Sequence, residues 1–253
     1  MNPSRTLSAL AVAGLTLGFA ASSVTASAPP DGSESPGQVA ADAAIAAIDA
    51  SLTDAGFVGD GETSASTDVL DLASEGGLAE TCAPELGELA DEAGSLLGEQ
   101  AAAGSETYFL VPDGGELPES FDELYELDNT RAAVAIVEEA NATALHQIAD
   151  VFGSGDLADC IDDQLSASAE GQDVTYEIEF ESEDDLGIGD ATGALVMRGT
   201  AEVGGESEAT TLAIAVAITG NAIVMADFES HSADADTEPF FAAVVAAVEA
   251  LEV

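Results

Sequence analysis

The 253-residue chain contains no lysine and no tryptophan, and three arginines are its only strong cations against fifty aspartates and glutamates. The formal net charge at pH 7 is −47. Charged side chains are rarely buried without a partner, so most of these carboxylates must lie on the folded surface. Such a surface repels phosphate groups, which argues against binding to nucleic acid or to an anionic lipid face.

The scarcity of cations also bears on the surroundings of the protein. Carboxylates repel one another over the Debye length, which is about 10 Å in 0.1 M salt and about 3 Å in 1 M salt. Concentrated salt therefore removes most of the repulsion that this composition creates. We predict halophilic adaptation to a marine or hypersaline habitat; an acidic secreted protein from an ordinary habitat is the alternative.

The acidic residues begin only after residue 26, which is the sharpest change of composition in the chain. Arg5 supplies a positive charge, residues 7–21 are mostly apolar, and Val24-Thr25-Ala26 ends in small residues. This pattern predicts a signal peptide over 1–26 and a secreted, extracellular product. The apolar run is shorter than the roughly 20 residues of a membrane span, so we expect no membrane insertion after leader removal. Cleavage after Ala28 and a retained N-terminal anchor are the alternatives.

Cys82 and Cys160 are the only two cysteines, and they do not form a CxxC motif. In an exported chain an even number of cysteines favours a disulfide bond. The alternative is a pair of buried free thiols.

Helical spacing of apolar residues dominates the first half of the remaining chain. Residues 27–37, rich in Ser, Pro, Gly and acid, are predicted to be a disordered acidic lead-in. The elements predicted after it are helices over 39–56, 67–76 and 84–97, a strand over 106–111, a helix over 130–153 and an amphipathic helix around Cys160.

The pattern changes near Gly171, where apolar and polar residues begin to alternate as in half-buried strands. The elements predicted here are strands over 174–180, 194–203, 208–219 and 222–228, and a closing helix from Pro239. Together these patterns predict an α+β fold with an N-terminal helical portion over 38–170 and a three- or four-stranded antiparallel sheet with a C-terminal helix over 171–253. We expect one domain over 38–253.

Several short motifs resemble those of a known class of proteins. Glu116-Leu117-Pro118 with Phe121 is similar to a "DLPxGF" segment, and Phe152 with residues 157–161 is similar to a "sPxFxxCL" helix, although Ser120 stands where that class has glycine. The later motifs are Ile188-Gly189-Asp190, Arg198-Gly199-Thr200 and Gly220-Asn221-Ala222-Ile223-Val224, which are similar to "xGD", "RxT" and "vGNxvv" strands.

These motifs, over roughly residues 80–253, resemble secreted actinobacterial lipoproteins and sensor-like extracellular domains, including those of membrane-anchored Ser/Thr kinases. The resemblance implies a cleft-bearing binding or sensing module and assigns no ligand-contacting residue.

One acidic segment could gather a divalent cation, because oxygen and imidazole ligands occur close together in the sequence. Its residues are Asp227, Glu229, His231, Asp234 and Asp236. The alternative is a solvated acidic segment that binds cations weakly. Arg198, one of two cations in the mature chain, is predicted to form an internal ion pair or to meet an anionic ligand.

No catalytic residue can be nominated, because the chain has no nucleophile motif and too many acids to single out a pair. We therefore expect a secreted, acidic, non-enzymatic binding or sensing module with a small ligand or a protein as partner and without a firmly bound cofactor. A hydrolase that uses carboxylates or a loop-bound divalent cation is one alternative. A surface or matrix structural component is another.

Overall fold

The structure is a computed structural model that describes residues 35–63, 82, 101–112, 115–118, 120–124, 126–137, 142–169, 174–183, 187–203 and 206–252. The predicted leader, most of the lead-in and the predicted helices over 67–76 and 84–97 lie outside these residues. The helices are α1 Pro36–Asp54, α2 Phe121–Leu124, α3 Ala142–Gly153, α4 Gly155–Ala169 and α5 Glu238–Leu251. The strands are β1 Phe57–Thr63, β2 Ala101–Gly104, β3 Glu106–Leu110, β4 Asn129–Ile136, β5 Val174–Glu183, β6 Ala191–Val203, β7 Glu206–Thr219 and β8 Ala222–Ser230.

All eight strands belong to one antiparallel sheet, ordered β1-β3-β4-β8-β7-β6-β5, with β2 also paired to β4. Strands β5 to β8 pair in chain order and correspond to the predicted antiparallel strands. The α+β class and the closing C-terminal helix are confirmed. The sheet is larger than the predicted three or four strands, because β1 to β4 extend it from a part of the chain predicted to be mostly helical.

The first helix ends close to the predicted Gly56, but it begins at Pro36, three residues before the predicted start and within the segment predicted to be a disordered lead-in. The Ser35 side chain accepts a hydrogen bond from the backbone N–H of Gln38 at 3.1 Å, which caps the first turn of α1. Pro36 occupies the first helical position, where its missing N–H costs nothing. The chain leaves the helix at Gly56, whose φ of 93° suits glycine.

The prediction of a single helix over 130–153 is wrong for its first residues, which belong to the strand β4. Residues 132–135 are all buried, because β4 is an inner strand with helices over both faces. A strand buried on both sides is apolar at every position and lacks the alternation that identifies a half-buried strand. The helical spacing that starts at Val134 is therefore accidental, and the helix α3 begins only at Ala142.

Helices cover the sheet on both sides. Helices α3 and α4 pack on one face against Leu195, Ile214 and Met225 among others, and α1 and α5 pack on the other. Alternate residues of one strand therefore enter different cores. On β7 the face toward α1 and α5 carries three fully buried alanines, Ala213, Ala215 and Ala217.

Small side chains allow the helices to lie close to the strands on both faces of the sheet. Gly193 of β6 lies against the backbone of α3, where a Cβ atom would overlap the carbonyl oxygen of Ala149 and lie 2.6 Å from the backbone nitrogen of Gly153. Only glycine fits this crossing, and the close contact fixes how α3 sits on the sheet.

The disulfide predicted between Cys82 and Cys160 is present, with the two Cα atoms 5.5 Å apart. Cys160 lies on α4, and Cys82 packs against the core beneath α3 and α4. The bond joins positions 78 residues apart, and closing a loop of that length stabilises a fold by about 4.5 kcal/mol in the chain-entropy model. Within the described residues, no helix is both long enough and apolar enough to cross a bilayer.

We predict that Gly193→Ala lowers the free energy of unfolding by about 3 kcal/mol, because the added methyl group must displace backbone atoms of α3. Gly155→Ala, at the start of α4, is the matched control: no atom lies within 4 Å of its Cβ position, so we expect it to be neutral or slightly stabilising. Urea denaturation at constant high salt measures both. Equal stability of the two variants would contradict the packing described.

Candidate functional site

Arg198 lies on β6 and points to the face of the sheet that α5 covers. Ala194 and Val196, which precede it by four and two residues, pack in the core beneath α1 and α5. Its Nη1 donates a hydrogen bond to the backbone oxygen of Ala235 at 2.8 Å, and its Nη2 donates to Oγ1 of Thr237 at 3.0 Å. In these contacts the guanidinium holds the segment that connects β8 to α5.

We call this connecting segment, residues 231–237, the acidic loop. Buried hydroxyl groups hold its first part: Thr211 donates from Oγ1 to the backbone oxygen of Ser232 at 2.6 Å, and Ser230 Oγ accepts from the N–H of Ser232 at 3.1 Å. Thr211 and Ser230 are fully buried. The Oγ of Ser232 accepts in turn from the N–H of Asp234 at 3.2 Å.

The second part of the acidic loop is ordered by the start of α5. Asp236 Oδ1 accepts from the N–H of Glu238 at 2.9 Å. The backbone oxygen of Thr237 accepts from the N–H of Phe241 at 3.1 Å, which closes the first helical turn. Hydrogen bonds therefore fix both ends of the loop, and Arg198 binds two residues of its second half, Ala235 and Thr237.

Between the acidic loop, Arg198 and α5 lies an open groove of about 620 Å³, which we call the Arg198 groove. Phe241 supplies the one aromatic wall and packs edge-on against the buried Phe240, with ring centroids 4.9 Å apart. The lining residues are Arg198, Ala233, Asp234, Ala235, Asp236, Thr237, Glu238 and Phe241.

The groove combines apolar walls with an excess of negative charge. Its three carboxylates outnumber its one guanidinium, and all three are exposed. The whole chain adds a field of the same sign. The arrangement suits a neutral or cationic molecule with an apolar part and disfavours an anion.

A second polar cluster lies on the opposite face of the sheet, on β4 and β8. Arg131 and Asp227 are register partners, and the Nε of Arg131 donates to Oδ1 of Asp227 at 3.0 Å and to Oδ2 at 3.2 Å. Their side chains are 29% and 18% exposed. Sequence reasoning missed this ion pair, because the two residues lie 96 positions apart and only the strand register joins them.

Both carboxylates of this cluster carry raised pKa values. Burial raises the pKa of Asp227, and the charge and hydrogen bond of Arg131 oppose the shift. Burial is also the main cause that raises the pKa of Glu229; the neighbouring His231 lowers it and the Asp227 charge raises it further. Burial outweighs the positive charges in both cases.

The structure does not bring together the five residues predicted to bind a divalent cation. Asp227 and Glu229 lie on the α3 and α4 side of the sheet, whereas Asp234 and Asp236 line the Arg198 groove on the α5 side. His231 is exposed at the end of β8. Across the described ranges, no three His, Cys, Asp or Glu side chains are grouped so that they could hold a metal ion.

A third polar contact, between α1 and β3, was also missed by sequence reasoning. Asp49 of α1 and Tyr108 of β3 share a hydrogen bond, and burial raises the pKa values of both groups. Oδ1 of Asp49 is buried and makes no hydrogen bond within the described part of the chain. The contact joins α1 to β3, and neither residue is among those that line the Arg198 groove.

Comparison with protein-family models, with curated proteins and with solved structures finds no match to this chain. The resemblance to sensor-like extracellular domains stays a prediction.

We predict that Glu229→Gln stabilises the fold at pH 7.5 by on the order of 1 kcal/mol relative to Glu249→Gln, an exposed control on α5 with the same charge change. The folded-state pKa of Glu229 is raised above its ordinary value near 4.5, so its ionised form opposes folding at neutral pH. That penalty disappears as the pH falls through the folded pKa to below the unfolded value. The difference between the two variants should therefore shrink to zero toward pH 4.

Urea denaturation from pH 4 to 8 in concentrated KCl measures this difference. A difference between the two variants that is constant with pH would contradict the raised pKa.

Proposed function

We propose that this chain is a secreted, acidic, non-enzymatic binding or sensing module, and that the Arg198 groove is its ligand site. The carrying observation is that hydrogen bonds from the sheet fix the loop that forms one wall of the groove. Arg198, Thr211 and Ser230 hold its loop in place from the sheet. A wall ordered in advance loses little conformational entropy on binding, which is how a shallow site gains affinity.

The composition of the groove supports a small organic ligand. Phe241 and the two alanines offer apolar contact, and the carboxylates around them can orient a polar or cationic group. An aromatic ring next to carboxylates also favours a cation by direct attraction to the ring face.

Export and adaptation to salt are parts of the same proposal. The disulfide agrees with an oxidising compartment, where such bonds persist. The charge of −47 keeps the protein dispersed, and concentrated salt outside the cell would screen its self-repulsion.

A second candidate function is hydrolysis by the carboxylates of the opposite face. The observation that favours it is the position of Glu229 beside the ion pair of Asp227 and Arg131, where burial raises the pKa of Glu229, because a carboxylic acid with a raised pKa keeps a proton to donate at a higher pH than an exposed one. In that case Glu229→Gln would abolish an activity that groove variants leave intact.

The binding proposal predicts saturable binding of at least one of four probes, namely choline, glycine betaine, arginine or glucose, in 2 M KCl. A ligand present at 100 times its dissociation constant raises the free energy of unfolding by about 2.7 kcal/mol, which thermal denaturation detects. Inorganic phosphate should produce no such shift, since the groove carries excess negative charge. Calorimetric titration then gives the affinity.

Groove variants show whether the binding site is the groove. Two changes in the groove should each lower the affinity for the probe about tenfold or more: Phe241→Leu, and the pair Asp234→Asn with Asp236→Asn. The pair Asp162→Asn with Asp163→Asn, on the exposed side of α4, removes the same charge elsewhere and should leave binding unchanged. Absence of saturable binding by all four probes, or equal weakening by the α4 pair, would contradict the proposal.

A further inference from the structure

We propose that the edge strand β5 is a docking site for an extended segment of a partner protein, which adds a strand to the sheet and carries Lys or Arg at every second position. Strand addition of this kind gains affinity from backbone hydrogen bonds and specificity from alternate side chains. The site is independent of any ligand in the Arg198 groove, because it is formed by the backbone at the edge of the sheet.

The backbone of β5 is regular along its whole length. The path of paired strands ends at β1 on one side and at β5 on the other, and among the described residues β5 pairs with β6 alone. Alternate residues of a strand direct their N–H and C=O groups to opposite sides, so about half of these groups in β5 face away from β6. The register with β6 runs without a bulge, and the strand contains neither glycine nor proline. It therefore offers an uninterrupted row of backbone donors and acceptors.

The other end of the path, β1, is protected against a further strand. Its register with β3 shifts between Gly59 and Thr63, and Gly61 has a φ of 77°. The carboxylate of Glu106 accepts a hydrogen bond from the N–H of Gly61 at 2.9 Å, so a side chain of the neighbouring strand occupies this backbone donor. Irregular edges discourage pairing with another chain. The register of β5 shows no comparable irregularity.

The two faces of the β5 edge differ in chemistry. Successive residues of a strand belong to opposite faces, and the register with β6 identifies each face. Phe180 is paired with Met197, which lies in the core beneath α3 and α4. Glu179 is paired with Arg198, on the face toward α5. The row on the first face is Val174, Tyr176, Ile178 and Phe180, and the row on the second is Glu177, Glu179, Glu181 and Glu183. One face of the edge is therefore apolar and the other is acidic.

Strand β6 places one cation beside the glutamate row. Glu179 lies opposite Arg198 in the register. The other three glutamates lie opposite Thr200, Val196 and Ala194, none of which is charged. Opposite charges in cross-strand positions attract, and like charges directly opposite one another repel. A strand added on the outer side of β5 can complement the glutamates with Lys or Arg at alternate positions and place apolar residues on the other face.

A second copy of this chain is a poor occupant of the same edge. Two β5 strands joined antiparallel about a two-fold axis normal to the sheet place their glutamate rows side by side. Like charges then lie opposite one another, and the net charge of −47 on each chain adds to the repulsion. The same glutamates therefore disfavour self-association and favour a basic strand.

The peptide acetyl-Lys-Val-Lys-Thr-Lys-Val-Lys-Thr-Lys-amide tests this site by calorimetric titration in 1 M KCl. The Debye length of about 3 Å at this concentration reduces the general attraction of cations to a polyanion. We expect saturable binding. Hydrogen exchange of the β5 amides that face away from β6 should slow about tenfold or more at saturation, whereas the β5 amides that face β6 should change little.

Three control peptides separate strand addition from simple attraction of charge. Two are N-methylated, one at every Lys and the other at every Val and Thr, so each keeps its charge and loses the backbone donors along one side. We expect one of these to bind like the unmodified peptide and the other at least tenfold more weakly, because only one side of the added strand faces β5. A peptide of the same composition with all its lysines consecutive should also bind at least tenfold more weakly. Equal binding by all the peptides would overturn the docking site.

Matched variants of the protein locate the binding. Glu177→Gln with Glu181→Gln should lower the affinity for the alternating peptide about tenfold. Glu249→Gln with Glu252→Gln, at exposed positions at the end of α5, removes the same charge and should leave the affinity within about twofold.

Four results would contradict strand addition at β5. They are the absence of saturable binding, equal weakening by the two pairs of variants, slowed exchange confined to the acidic loop, and slow exchange of every β5 amide in the free protein. The last result would mean that the edge is already covered, and sedimentation would then distinguish a second copy from a segment of the same chain. None of these measurements contains a groove ligand, so their failure leaves the binding proposal for the Arg198 groove standing.

Discussion

Burial of small apolar side chains on both faces of one sheet is the interaction on which the rest of this structure depends. A chain with three arginines and fifty acids cannot offset its surface charge with ion pairs. Each fully buried aliphatic side chain contributes about 1.5–3 kcal/mol, whereas exposed ion pairs contribute at most about 1 kcal/mol. The fold therefore covers both faces with helices, and alanine and glycine allow those helices to lie close to the strands.

Both arginines in the described part of the chain lie on strands and bind polar groups of a neighbouring element. Arg131 neutralises Asp227 on one face, and Arg198 binds the acidic loop on the other. Arg198 thereby shapes one wall of the Arg198 groove, and Arg131 forms an ion pair with Asp227 near Glu229 on the other face.

The sequence predicts those elements whose signals are local. Gly56 marks the end of α1, the alternation from Val174 marks β5, and Phe240, Val244 and Val248 mark the buried stripe of α5. The sequence does not predict β4, because a strand buried on both faces lacks the alternation of apolar and polar residues that identifies a half-buried strand.

The candidate site depends on long-range register and could be predicted only in part. Arg198 was singled out by its rarity, yet its partners Ala235 and Thr237 lie 37 and 39 residues away. The sequence proximity of Asp227 and Asp234 suggested a common cation site, but Asp227 lies on the α3 and α4 side of β8, whereas Asp234 lies in the acidic loop and lines the Arg198 groove. The disulfide was the exception, since a chain with two cysteines permits one pairing.

The account rests on a neutral, tightly packed interior enclosed by negative charge that the protein does not neutralise itself. Thermal denaturation of the wild type from 0.2 to 2 M salt tests this most directly, with KCl and NaCl compared at equal ionic strength. The account predicts that the melting temperature rises by more than about 10 °C in either salt, because screening depends on ionic strength and not on the identity of the cation. A melting temperature that stays constant with salt would contradict it.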